Sequence, residues 1–491
     1  MALEVRRMNA SGVRRRKSRC TAFRSVQRRI CALARRSPQP RTLTASLVRL
    51  GASSRCSCGR AGAASAGRTR SQGRGMSTER VETIVIGGGQ AGLAMSYHLG
   101  QLGGEHVVLE RGELAERWRS ERWDSLHFQS PNWNMNLPGW PRMTADPQAD
   151  PDAFSPLREV TDYIERYAAN IRAPVRTQCA ALSLTRKPGS RELQVQTDGT
   201  LYVAHNVVVA TGPYQVPRAT PALGAGVFEL HSTQYRNPMQ LPDGAVLVVG
   251  SGNSGVQIAE ELCGAGRRVF LSVSSHERIR RRYRGKDCIW WLVATGSTDS
   301  TLREWTGARL SRLMTGVNGG HDIDLRRLAA GGIVLIGRVN AAENGRIAIA
   351  DDLASSMAHG DESLNAFTRR CDDAARMQQL DLPPADPPAD PMPDPPELQA
   401  PIRTVDLVRE GIHTVIWANG AQADFGWIDL PVFGQSPGSK KTPVHERGVT
   451  AEAGLYFLGL PWLHKWKSAF LFGADEDAAY LAAHIGSQKR N

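Results

Sequence analysis

Two glycine turns share one spacing, Gly87-Gly88-Gly89-Gln90-Ala91-Gly92 and Gly250-Ser251-Gly252-Asn253-Ser254-Gly255, and each lies between an apolar run and an apolar-periodic stretch. A strand feeding such a turn and then a helix is the phosphate-cradling corner of a Rossmann unit, so the chain is held to an α/β architecture. Gly87 permits the tight turn, Gly89 lets the backbone approach a pyrophosphate, and Gly92 allows helix and strand to pack closely. Gly250, Gly252 and Gly255 repeat those roles. The helix starts, Gln90-Ala91 and Asn253-Ser254, offer unpaired N–H donors and a partial positive charge. Two such units imply two bound dinucleotides, and electron transfer between them.

The residues at the next strand ends differ. Glu110 closes the strand His106–Leu109, where an acid accepts hydrogen bonds from an unphosphorylated ribose, as in FAD or NAD, and Arg111 beside it is assigned to the same site. The second unit ends in Val273-Ser274-Ser275-His276, without an acid. Hydroxyls such as Ser274, with Arg278 or Arg280 beyond, suit a ribose 2′-phosphate and point to NADP(H). The arginine run 278–284 reads equally as a solvated loop. Ala210-Thr211-Gly212 ends a third apolar strand, and its small residues let the chain pass close to a cofactor.

The formal charge of +13 invites a nucleic-acid reading, but its distribution argues against one. Residues 1–75 carry 18 Arg and one Lys against the single acid Glu4, which leaves the rest at −5. That segment has no sustained apolar period and is expected to be disordered. It fits an organelle transit segment, a nucleic-acid-binding arm, or an over-extended start with translation beginning at Met76, and the last is favoured because Met76 leads directly into the first strand. No cysteine pair in residues 76–491 has Cys-x-x-Cys spacing, no metal set is visible, and no run of 18 apolar residues predicts a membrane span.

The combined order (first glycine turn, Ala-Thr-Gly strand end, second glycine turn, then Ala418-Asn419-Gly420) resembles the flavin-containing monooxygenase family over most of residues 80–490. The segment 117–126 resembles the flavin-side loop of plant indole-pyruvate monooxygenases and their bacterial relatives. Pro131-Asn132-Trp133 through Leu137-Pro138-Gly139 is similar to a bacterial branch often labelled potassium-transport-associated flavoproteins. The resemblance implies FAD at the first turn, NADPH at the second, Trp118 and Arg119 flanking the flavin, and Gln129 and Asn419 as the catalytic candidates. Gln129 stands where the family often has Asn or His, and Ala225 and Val227 where it has Phe and Gly. His231 is expected to make a structural bond at a domain junction. Leu460, where disulfide reductases carry Asp, favours the monooxygenase side.

The expected fold is therefore two Rossmann-like dinucleotide-binding domains, the NADPH domain inserted in the FAD domain. A basic extension occupies 1–78, the FAD domain 79–240 and 405–491, and the inserted domain 241–404. The expected function is an NADPH-consuming cytoplasmic monooxygenase, organelle-targeted if 1–75 is a transit segment. It would form a flavin C4a-(hydro)peroxide and oxidise a nitrogen, sulfur or carbonyl carbon of a small molecule with dioxygen, without nucleic acid, metal or membrane span. An NADPH oxidase or dehydrogenase without oxygen transfer, and a redox-sensing regulator of a partner, are the alternatives.

Overall fold

The computed structural model describes residues 76–488 apart from 222, 225, 305–310, 388–390 and 435–441, so the basic segment 1–75 and Ala225 lie outside the described residues. Strand β1 (Ser77–Ile86) runs into the first glycine turn and helix α1 (Gln90–Gln101), and β2 (His106–Leu109) follows. After α2 (Glu116–Ser120) and α3 (Leu157–Asn170) come β3 (Val175–Arg176), the hairpin β4 (Ser183–Arg186) and β5 (Leu193–Gln196), and the long β6 (Thr200–Val209). A second group holds β7 (Phe228–His231), β8 (Ala245–Val249), α4 (Asn253–Gly264), β9 (Val269–Ser272), α5 (Cys288–Ala294), β10 (Val334–Ile336), α6 (Leu353–Met377) and β11 (Ile412–Trp417). The described chain closes with β12 (Leu455–Phe457) and α7 (Ala474–Gln488).

Ile84-Val85-Ile86 and Val207-Val208-Val209 are continuous β-branched runs and are buried, as central parallel strands covered on both faces must be. They pair in register, Ile84 with Val207 and Ile86 with Val209. The first sheet has the order β3-β2-β1-β6-β5-β4, with β12 parallel to the far half of β6. The second sheet is parallel throughout, in the order β10-β9-β8-β11-β7. Helix α3 buries Val160, Tyr163, Ile164 and Tyr167, the one-sided spacing of an amphipathic helix.

Chain order confirms the insertion, because all five strands of the second sheet fall between β6 and β12 of the first. Strands β7 and β11 carry that sheet from Phe228 to Trp417, past both ends of the segment 241–404.

Candidate active site

The two glycine turns are geometric copies. Gly87 has φ +116° and Gly250 φ +111°, a backbone region that L side chains rarely adopt. A Cβ on Gly87 would lie 2.6 Å from the Ala210 carbonyl oxygen, and one on Gly250 would lie 2.6 Å from that of Ala418. Gly92 and Gly255 are pressed onto the carbonyls of Gly87 and Gly250, leaving no room for a side chain. Neither α1 nor α4 has a side-chain N-cap or an acid in its first turn, so both helix N-termini are free to face an anion. A Cβ on Gly89 would meet no atom within 4 Å, and one on Gly252 would meet only the Ser311 side chain, 3.5 Å away. Open space over a bare helix N-terminus fits a pyrophosphate.

Backbone register extends the equivalence. Gly87 N–H donates to the Leu109 carbonyl, and Gly250 N–H to that of Ser272. Glu110 and Val273 therefore occupy the same place, each bonded to the next strand, through Arg176 and Ile336 respectively. Glu110 is buried and its carboxylate accepts from Gly88 N–H at 2.6 Å and Gly112 N–H at 3.1 Å. In the second unit the acid is replaced by the apolar, fully buried Val273. Ser251, the counterpart of Gly88, donates to the Ser274 carbonyl at 3.2 Å and accepts from its N–H at 3.0 Å. A negative bracket in one unit is thus a neutral one in the other.

The remaining predicted residues distribute unevenly. Thr211 and Gly212 follow β6 beside the first turn, and Asn419 follows β11 beside the second, so Asn419 is the positional twin of Thr211. Its Oδ1 is buried without a partner. Gln129 also comes to the second turn, where its side-chain oxygen lies 3.5 Å from Asn253 Nδ2. Trp118 packs edge-on against Phe128 with centroids 5.8 Å apart and touches the cores of both the α3 region and the second sheet. The Arg119 guanidinium pairs with Glu165 on α3, while Arg111 reaches Glu121 at 3.2 Å. Arg278 is committed elsewhere: its guanidinium forks between Asp324, at 2.6 Å, and Asp361.

A seam cavity of about 360 Å³ is lined from both units, by Ser120, Glu121, Tyr214, Thr233 and Arg236 among others. That volume is in the range of small-molecule sites. His231, two residues before the lining residue Thr233, bonds Thr233 Oγ1 at 2.9 Å and the Gly420 carbonyl at 3.2 Å, and burial holds the imidazole below its usual range. Both bonds stay beside the paired strands β7 and β11 of the second sheet.

The family described as pyridine nucleotide-disulphide oxidoreductase matches residues 84–292. An uncharacterized CzcO-like oxidoreductase of Geobacillus kaustophilus is 32% identical over 410 residues, which cover 82% of this chain and 98% of the relative. The chain belongs to the CzcO-like oxidoreductases. The indole-3-pyruvate monooxygenase YUCCA4 of Oryza sativa subsp. japonica is 30% identical over 209 residues, 39% of this chain and 46% of that one. In fold, the chain is similar to a flavin-containing monooxygenase from Stenotrophomonas maltophilia, with a TM-score of 0.56 and 18% identity over 84% of this chain and 99% of that one.

As a member of this family the chain is an oxidoreductase. The four cysteines among the described residues are free, and burial pushes the Cys288 thiol up and that of Cys371 to about 12. Both stay protonated at neutral pH and are poor nucleophiles. Sequence reasoning missed the Ser251–Ser274 bracket and the acids that neutralise the arginine run: Asp324 and Asp361 for Arg278, Asp287 for Arg281, Asp372 for Arg284. Three of those acids lie far along the chain, so no local pattern announces them. Among the described residues, no helix is long and apolar enough to cross a membrane, and no group of three or more metal-ligating side chains occurs.

Proposed function

We propose that this enzyme is an FAD-dependent, NADPH-consuming monooxygenase that acts in the cytoplasm on a small organic substrate, with dioxygen as co-substrate. The observation that carries the reading is the duplicated cradle with unequal ends: Glu110 in the first unit, Val273 and the Ser251–Ser274 bracket in the second. A carboxylate opposes a ribose phosphate and suits a bare ribose, so FAD goes to the first turn and NADPH to the second. OTEMO, a protein of similar fold, forms a complex with FAD and NADP. The lack of any Cys-x-x-Cys pair in residues 76–491 favours oxygen chemistry over disulfide chemistry.

When bound, the flavin supplies hydride acceptance from NADPH and the activation of oxygen. The chain's own residues do the rest. Gly87, Gly89 and Gly92 with the N–H groups of Gln90 and Ala91 hold the first pyrophosphate, and Glu110 receives the ribose hydroxyls. Gly250, Gly252, Gly255, Asn253 and Ser254 hold the second pyrophosphate, with Ser274 at its ribose. Trp118 and Phe128 form an apolar wall that keeps water from the reacting edge, and Gln129 and Asn419 present amides beside the nicotinamide end. The proposed division runs 79–240 and 405–491 for the FAD domain and 241–404 for the NADPH domain, with β7 and β11 contributed to the latter's sheet.

The full chain should purify with a flavin absorption spectrum and oxidise NADPH. Anaerobic reduction followed by rapid mixing with oxygen should give a transient whose spectrum differs from both oxidised and reduced flavin, and panels of amines, sulfides and ketones should yield an oxygenated product. Direct return to oxidised flavin with only hydrogen peroxide formed would establish an NADPH oxidase instead. Gln129 in place of the family's Asn or His favours that second reading. Flavin retained without NADPH turnover would point to a redox sensor.

A further inference from the structure

Arg281 is 2% exposed, yet it carries a charge in the middle of the junction between the 111–156 loop and the second unit. Its Nε donates to Asp287 Oδ2 at 2.9 Å, and its Nη2 lies 2.8 Å from the same oxygen. Its Nη1 donates to the backbone carbonyl of Gln129 at 2.9 Å and faces that of Thr315 at 3.4 Å. The guanidinium plane sits 4.2 Å from the centroid of the Phe154 ring. Asp287 is fixed in turn, as its other oxygen caps α5 by accepting from Ile289 N–H at 2.8 Å.

The strap Met314–Gly316 completes the junction. Met314 N–H donates to Asn253 Oδ1 at 2.8 Å, which ties the strap to the first turn of α4. Gly316 is packed so closely under the Phe128 carbonyl and the Phe154 and His127 side chains that a Cβ there has no space. Gln129 and the strap therefore meet at one guanidinium, and Asn253 joins both from the first turn of α4. Only a planar fork can take a carboxylate on one edge and two carbonyls on the other, a task a single ammonium cannot perform. A buried ion pair is weak as a source of stability, so its use lies in specifying an arrangement.

We propose that Arg281, held by Asp287, is a positioning residue: it locks the 127–129 tip to the first turn of α4 and so aims the Gln129 amide at the nicotinamide end of the second turn. The positioning of Gln129 stands on the geometry above, while the nicotinamide as its target rests on the function proposed here.

Amide hydrogen exchange on the ligand-free full chain tests the positioning itself. In Arg281→Met, exchange in a peptide covering 126–132 rises about tenfold while peptides from β8 and α4 keep their parent rates, a local opening rather than unfolding. Arg281→Lys falls between the two. Unchanged exchange at 126–132, or an equal rise throughout the second sheet, overturns the proposal. On the flavin-loaded protein, Gln129→Ala and Arg281→Met each slow anaerobic flavin reduction by NADPH, and the double variant is no slower than the worse single one. Effects that multiply mean the two residues act independently and sink the functional half. A parent protein that retains no flavin and binds no NADPH refutes the assigned function, and the exchange result still decides the role of Arg281.

Discussion

The two dinucleotide units of this chain share a turn, a helix start and a five-strand parallel order, yet they bracket the first and second strands differently. The parallel strands of the first sheet run β3-β2-β1-β6-β12, and those of the second run β10-β9-β8-β11-β7. Each glycine turn is closed by an alanine carbonyl from the strand on its other side, Ala210 or Ala418. The difference is confined to one position and its neighbour: Glu110 opposite Gly88, against Val273 with Ser251. A Cβ on Gly88 would already stand 3.0 Å from that of Glu110, so a serine like Ser251 and a carboxylate like Glu110 do not share this corner. One substitution pair therefore sets the sign of the site while the scaffold stays constant.

The most severe way to break the comparison is to fill either helix–turn contact. Gly92→Ala drives a methyl onto the Gly87 carbonyl, and Gly255→Ala does the same at Gly250. Overpacking of this kind costs roughly 1–3 kcal/mol locally, and it displaces the N–H groups that face the phosphates. The first variant should purify colourless. The second should keep its flavin and lose NADPH affinity by about 100-fold, the equivalent of about 2.7 kcal/mol, in fluorescence titration. A colourless Gly255→Ala would mean the two sites had been assigned in reverse.

Arg278→Met separates stability from cofactor choice. It leaves Asp324 without its cation, while Asp361 keeps Arg326 at 2.9 Å, and the unfolding free energy should drop by about 1–3 kcal/mol in denaturant titration. The ratio of NADPH to NADH affinity should stay within about twofold, because the guanidinium is already occupied. A tenfold fall in that ratio would make Arg278 a reader of the 2′-phosphate.

Glu110→Gln is a milder change that sharpens the asymmetry. It keeps the shape but loses the charge behind the bonds to Gly88 and Gly112. Charge-assisted bonds contribute about 1.5–3 kcal/mol, so flavin affinity measured by equilibrium dialysis should weaken by about tenfold or more, with NADPH affinity unchanged.

The smallest effect concerns the clasp that joins the second unit to the C-terminal segment. Asp299, just after α5, pairs with Lys467 at 2.8 Å and Lys465 at 3.2 Å, and Lys465 also holds Glu476 at 2.7 Å. Burial pushes both carboxyls up, but the two lysines overcome it and hold Asp299 and Glu476 below the usual carboxylate range. Carboxylates that titrate lower when folded contribute above their unfolded pKa and lose that contribution as pH falls through the folded value. The clasp should therefore loosen below about pH 4, the ordinary carboxylate range, and only slightly, since both groups are partly exposed. Trp466, whose backbone N–H donates to the Ser300 carbonyl at 2.9 Å, reports the change as the fluorescence difference between the parent and Trp466→Phe. A flat difference down to pH 3 or so would mean the pairs add nothing.

What the chain disclosed by itself follows from how local the signal is. Both glycine turns, Glu110 and the Ala-Thr-Gly twins are legible because each needs a residue type that the backbone dictates within a few positions. The place of β7 and β11 in the second sheet is not, because His413-Thr414-Val415-Ile416-Trp417 reads as a strand without naming its partners, and pairing with Ala245–Val249 is a long-range choice. Arg278 shows the same limit. A basic run beside a nucleotide turn looks like a phosphate reader until Asp324 and Asp361 arrive from two other elements. Tryptophan in a loop reads equally as a cavity lining or as packing, and here Trp140 stacks on Tyr163, Trp291 is fully buried, and neither borders the seam cavity.

The fifth parallel strand of the first sheet is β12, and it is the last strand of the described chain to be made. On the ribosome the inserted unit holds all five of its strands by Trp417, whereas the far half of β6 keeps an open edge until Leu455–Phe457 emerges. Synthesis is vectorial and units fold as they appear. The unit that begins first is therefore sealed last, and a nascent chain that has emerged only to a point between 417 and 455 would carry a finished nucleotide fold beside an exposed strand edge, the natural target for a chaperone.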